Sequence, residues 1–214
     1  MSLQQEIYAD IDWRMSELAL LKTIPLRLNF LPDQNKNIIK YLVPAIYAIW
    51  EGFIKHCFLQ YVKILNSERI PIDNVHINIL THSLTSKKHM LLETPRNNFE
   101  SKIKFISAYQ EIIKQPLQID PNIPTKSNVN SKVVNDILKR FNLKKLPSRY
   151  EEPLNKLLFF RNAIAHGDNA ISVDMTIISQ FSDLVMDLMI DIYGLIEEGY
   201  NNKTFEYHSP AQHL

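Results

Sequence analysis

Glu151-Glu152-Pro153-Leu154-Asn155-Lys156-Leu157-Leu158-Phe159-Phe160-Arg161-Asn162-Ala163-Ile164-Ala165-His166-Gly167-Asp168 contains the chemistry of both ends of a helix. Two carboxylates and a proline suit a helix N-terminus, where the backbone N–H groups lack partners and the dipole is positive. Gly167 stands where a left-handed C-terminal cap is expected, so the stretch predicts a helix over Glu151–Ala165. Downstream, Asp174 is a good N-cap for a last helix running to about Glu198. That helix is apolar over most of its circumference: Ile178, Phe181, Leu184, Val185, Leu188, Ile192 and Leu195, with Met186, Met189, Ile190 and Tyr193 beside them. Only Asp183, Asp187 and Asp191, four residues apart, form an acidic stripe. Such a helix is either central in a bundle or meets a second subunit.

Upstream, helical periodicity recurs. Helices are expected over Tyr8–Thr23, stopped by Pro25; over Asn35–Leu65, with Pro44 as a kink or a start; and over Asp73–His82. Glu100–Lys114 is amphipathic, with Ile103, Ile106, Tyr109, Ile112 and Ile113 along one side. Pro116, Pro121 and Pro124 predict an extended connection before a helix over Ser131–Phe141. The expectation is a single all-α domain over residues 1–200, followed by a loosely ordered polar tail over 201–214.

Composition agrees and narrows the function. Of 214 residues, 45% are hydrophobic and 22% charged, with 4 glycines against 11 prolines, which suits helices joined by stiff connections. A formal net charge of +1 gives no global attraction to nucleic acid or anionic lipid. The single cysteine, Cys57, excludes an internal disulfide and suits a reducing compartment. The most apolar segment, Tyr41–Leu65, is broken by Glu51, Lys55, His56, Gln60 and Lys63, and the first residues lack a signal-peptide layout. A cytoplasmic protein with no membrane partner is expected. No glycine-rich phosphate loop exists, and His76, His82 and His89 fit no standard zinc spacing, so no metal or cofactor is expected.

Two charges fall where apolar residues belong. Glu51 interrupts the stripe Tyr47, Ile54, Phe58, Val62, Leu65, and Arg161 interrupts Leu154, Leu158, Ala165. An unpaired charge in a core is expensive, so the economical expectation pairs Glu51 with Arg161. A core ion pair without chemistry is the plain alternative. His166 lies five residues after Arg161, about 140° round a continuous helix, so joint action requires the helix to end there. Asn162 shares its side. Lys139, Arg140, Lys144, Lys145 and Arg149, with Phe141 and Tyr150 beside them, form a basic cluster that could guide RNA, or merely a solvated helix end. Lys87, Lys88, His89 and Arg96 form a weaker second patch.

Arg161-Asn162-Ala163-Ile164-Ala165-His166, preceded by Leu157–Phe160 and followed by Gly167-Asp168, resembles the signature of the HEPN superfamily. Ile49-Trp50-Glu51-Gly52-Phe53-Ile54-Lys55 further resembles the bacterial HEPN group named after MAE_28990 and MAE_18760. The resemblance implies a HEPN-like helical bundle, a symmetric homodimer, and a metal-independent RNA endonuclease site at the two-fold interface. In that reading His166 is the general base on the ribose 2′-hydroxyl, or the acid on the leaving oxygen. Arg161 holds the scissile phosphate, Asn162 positions a phosphate oxygen or the histidine, and Glu51 braces Arg161. Single-stranded RNA would yield a 2′,3′-cyclic phosphate and a 5′-hydroxyl. Asp168 stands where relatives silenced by nucleotidylation carry a tyrosine. A toxin or antiphage role with a cognate antitoxin or defence partner follows from the resemblance; the alternative is a catalytically silent HEPN module that binds a partner protein or a nucleotide.

Overall fold

The computed structural model describes residues 3–27, 31–86, 98–125, 128–168 and 170–207. Seven α-helices run through them: α1 Leu3–Arg27, α2 Pro32–Ser67, α3 Ile77–Ser86, α4 Phe99–Ile113, α5 Ser131–Arg140, α6 Glu151–Ala165 and α7 Met175–Asn201, with short 3₁₀ turns at Ile72–Asn74 and Ser148–Tyr150. The described residues contain no strand, only isolated bridges Pro71–Pro116 and Val75–Glu206.

The centre of the bundle is α2, which packs against α1, α6 and α7. Its apolar positions Leu42, Val43, Ile46, Trp50, Phe53, Ile54, Cys57, Phe58, Tyr61, Val62 and Leu65 cover a broad face of the helix and are all buried. By length and composition this helix could cross a bilayer. It is instead the core helix of the bundle, because the neighbouring helices cover those residues. Lys55 and Lys63, which interrupt the apolar run in the sequence, lie with Tyr41 and Ala48 on the exposed side of the helix.

Helix α7 answers the question posed by its apolarity. It meets α1, α2 and α6 within the one molecule. Helix α1 runs antiparallel to it, tied by Gln4–Glu197, by the Tyr8–Tyr193 rings 4.6 Å apart, and by Lys22–Asp183 at 3.0 Å. The acidic stripe is therefore divided: Asp183 faces α1, while Asp191 accepts from Arg149 and the Tyr150 hydroxyl.

Several expected boundaries move. Pro25 lies inside α1, where a stop was expected, and Pro44 lies inside α2, within the helix expected there. Pro25 is two residues from a helix end, where one bond is forfeited, and at Pro44 burial on several sides outweighs a cost of about 3 kcal/mol. The helix expected over Asp73–His82 splits, because the segment that follows α7 takes its first backbone groups. The His76 N–H donates to the Phe205 carbonyl at 2.8 Å, and the Tyr207 N–H donates to the Asn74 carbonyl at 2.7 Å. Phe205 is buried, so the segment expected to leave as a polar tail stays docked as far as Tyr207.

Two positions of the Trp50–Phe53 segment explain themselves. Trp50 Nε1 donates to the Val129 carbonyl at 2.9 Å. Gly52 leaves room for Arg14: a Cβ there would stand 2.8 Å from its Nη1. Arg14 is buried between α1 and α2, bonded to Asp10 at 2.7 Å and to the Ile49 carbonyl at 2.9 Å. Helix α4 is the exception to the packing. None of its residues is buried, and Phe99, Ile103 and Ile106 are at least half exposed.

Candidate active site

Helix α6 spans the residues expected of it and buries Leu154, Leu157 and Ile164 against the bundle. It stops as a full left-handed cap. Gly167 has φ +80°, its N–H donates to the Ile164 carbonyl at 3.1 Å, and the Asp168 N–H donates to the Ala163 carbonyl at 2.9 Å. His166 is the last residue before that turn and is exposed. The helix does end there, which is the condition its joint action with Arg161 required. Asp168 shapes the turn: its Oδ1 accepts from the Ala170 N–H at 2.8 Å and its carbonyl accepts from Lys40 Nζ at 2.6 Å. Lys40, on α2, thus fastens the loop that follows His166.

Arg161 is half-buried, with Cζ 4.6 Å from the centroid of the Tyr47 ring, a cation–π stack against α2. Its Nη1 donates to Asn162 Oδ1 at 2.7 Å. The acceptor of Asn162 is therefore engaged, and what the amide offers a ligand is its Nδ2 donors. Phe159, 63% exposed, is three residues before Asn162 and seven before His166, so all three lie on one outward stripe of α6.

The expected Glu51–Arg161 pair takes a different form. No salt bridge joins them among the described residues; Glu51 pairs with Lys55 at 2.7 Å. Both nevertheless act on Tyr47, which sits one turn before Glu51. Burial raises the Tyr47 hydroxyl above its usual range, the N–H of Val129 opposes that, and Glu51 raises it while Arg161 lowers it. Tyr47 occupies the place expected of the carboxylate. Sequence reasoning missed both Tyr47 and Lys40. The signal for Tyr47 existed, since it shares the Glu51 stripe and an aromatic face can hold a guanidinium. For Lys40 there was none.

Of the basic cluster, Arg149 stands just before the other end of α6, while Lys139 and Arg140 close α5. Fifteen residues at about 1.5 Å rise separate the two ends by roughly 22 Å. Arg149 is paired with Asp191 at 2.7 Å, Lys144 with Glu198 at 2.5 Å, and Arg140 with Asp136 at 3.6 Å, while Lys139 and Lys145 are exposed. The cluster and the motif are not one site. Lys87, Lys88, His89 and Arg96 lie outside the described residues.

His82 is buried against the Phe141 ring with Arg140 beside it, and burial foremost pulls its pKa below the usual value. Cys57 is fully buried, which pushes its thiol up and away from nucleophilic use. Among the described residues no group of three or more His, Cys, Asp or Glu could hold a metal ion. Two clefts, one of about 340 Å³ beside Glu68 and Tyr200, the other of about 360 Å³ beside Lys55 and Ile123, include neither Arg161 nor His166. His166 is exposed and Arg161 half-buried at the surface of the bundle. A stacked guanidinium, amide donors and an imidazole on such a surface suit an extended anionic backbone better than an enclosed small molecule.

A family model described as MAE_28990/-like HEPN matches residues 3–205. No curated protein and no solved structure matches the sequence.

Proposed function

The chain belongs to the MAE_28990/-like HEPN family, and from that membership we propose that it is an endoribonuclease cleaving single-stranded RNA at the Arg161–His166 surface. HEPN domains are frequently ribonucleases. The observation that carries the reading is the guanidinium of Arg161, held between the Tyr47 ring and Asn162, beside an imidazole on the exposed cap of the same helix.

The chemistry balances without a metal ion. His166 takes the proton of a ribose 2′-hydroxyl, and the 2′-oxygen attacks the adjacent phosphorus. A P–O2′ bond forms as the P–O5′ bond breaks, and the 5′-oxygen collects a proton from an imidazolium or from water. The products are a 2′,3′-cyclic phosphate and a 5′-hydroxyl. Arg161 stabilises the charge that builds on the non-bridging oxygens, and Asn162 Nδ2 donates to one of them. Such roles contribute about 10²–10⁴-fold for the base and about 10²–10³-fold for an oxyanion donor. In-line attack needs a flexible backbone, hence single-stranded or loop RNA.

A second copy across Phe159, Asn162 and His166 would enclose the open surface and supply the second imidazole, so the working unit is a homodimer. Lys139 and Lys145 would meet RNA only well away from the cut. The protein would act in the cytoplasm, where an antitoxin or defence partner would restrain it. The second reading is a silent module that binds a partner protein or nucleotide, favoured by the exposed Phe159 ring on the same stripe as Asn162 and His166.

The deciding experiment is cleavage of a mixed single-stranded RNA in excess chelator by the wild type, His166→Ala and Arg161→Ala, with product ends identified. Cyclic-phosphate ends from the wild type alone establish the reading. A folded wild type that leaves every RNA intact removes it in favour of the binding module.

A further inference from the structure

We propose that Tyr47 is a positioning residue of this site, a platform that holds the flat face of the Arg161 guanidinium and so aims its N–H edge at a phosphate. The inference rests on the ribonuclease reading and adds to it a residue from outside the motif. The geometry is a stack of three layers. Arg161 Cζ stands 4.6 Å from the ring centroid of Tyr47. The ring is itself fixed, because it is buried and its hydroxyl accepts the Val129 N–H at 2.6 Å. Val129 is in turn held by its carbonyl, which accepts from Trp50 Nε1 at 2.9 Å. Trp50 is three residues along α2 from Tyr47, so two aromatic side chains of one helix clamp both backbone groups of a single residue. The first bond anchors the tip of the Tyr47 ring, and the Trp50 indole cannot turn without breaking the second.

What the platform achieves follows from the shape of a guanidinium. A carboxylate partner takes its edge, two N–H groups at a time, and a phosphate needs that same edge. An aromatic face takes the flat side instead. With Glu51 drawn to Lys55, the ring of Tyr47 restrains Arg161 by a contact of a different kind from the edge-on one a phosphate makes. Asn162 Oδ1 fixes the remaining rotation through Nη1.

The test keeps the shape of the ring and changes its charge distribution. Tyr47→Phe serves as the reference, followed by monofluoro- and trifluorophenylalanine at position 47, which progressively drain the negative face. Steady-state cleavage of single-stranded RNA should show kcat falling stepwise to about one-tenth of the reference, with KM unchanged. A kcat that stays within twofold across the fluorinated series overturns the proposal and leaves the ribonuclease reading standing. If the wild type cleaves nothing, that reading falls, and the proposal is decided on the Arg161 Nε–Hε resonance titrated with inorganic phosphate. A phosphate-induced shift that weakens along the series sustains the platform; an unchanged response, or none, refutes it.

Discussion

Replacing Gly167 by alanine isolates the turn that presents His166. The residue has φ +80°, a region where a Cβ crowds its own backbone, yet a Cβ built there meets nothing within 4 Å. The cost is therefore conformational alone, about 1–2 kcal/mol for an L-residue held left-handed. If the turn yields instead, the Gly167→Ile164 and Asp168→Ala163 bonds go, at about 0.5–1.5 kcal/mol each, and His166 is no longer held at the end of the helix. Either route gives a loss of roughly 1–3 kcal/mol, a drop of several degrees in melting temperature for a domain this size. Gly167→Asn should lose less, because asparagine tolerates this region. Thermal unfolding gives the stability, and RNA cleavage gives the functional loss, expected to exceed the stability loss because the imidazole is displaced. A Gly167→Ala protein as stable as the wild type would refute the claim that the turn requires a left-handed residue. A loss well above 4 kcal/mol would refute the open space around it.

Gly52→Ala should destabilise by about 1–3 kcal/mol in urea unfolding, since the new methyl meets a guanidinium pinned by Asp10 and the Ile49 carbonyl. Most of that loss should vanish in an Arg14→Ala background, and an undiminished loss would mean the glycine serves some other contact. Acid should weaken the fold through His82, whose folded pKa lies below the 6.5 of the unfolded state because of burial and Arg140, with Asp120 opposing. Between those two values the unfolded state binds the additional proton, so stability falls as pH drops below about 6.5. His76, lowered by burial, acts in the same direction. Urea midpoints from pH 7.5 to pH 5 should show this slope, and His82→Gln should flatten it.

Local chemistry wrote the elements that the site depends on. The ends of α6, the Gly167 cap and the Asp174 N-cap, whose carboxylate accepts the Ile177 N–H at 2.9 Å, are contacts within a few residues, so they could be read directly from the sequence. The all-helical class and the Arg161–His166 motif were legible for the same reason. Where neighbours distant in sequence competed, reading residue by residue failed. Pro25 stayed helical inside packed surroundings, and the helix expected from Asp73 yielded its first backbone groups to Phe205 and Tyr207. The exposed apolar face of α4 has the same periodicity as a buried one, and periodicity reports which side is apolar, not whether another helix covers it.

The sequence by itself determined that a charge at Arg161 needs a partner, because burying an unpaired guanidinium costs more than a domain can spare. It also determined that the helix ends at His166. Only the tertiary structure decided that the partner is the ring of Tyr47 rather than the carboxylate of Glu51. It alone also tied down two residues of the basic cluster, Arg149 to Asp191 and Lys144 to Glu198. Composition and spacing state what each side chain demands. Which of several acceptable neighbours meets the demand depends on how two helices are packed, and no single stretch of sequence holds that information.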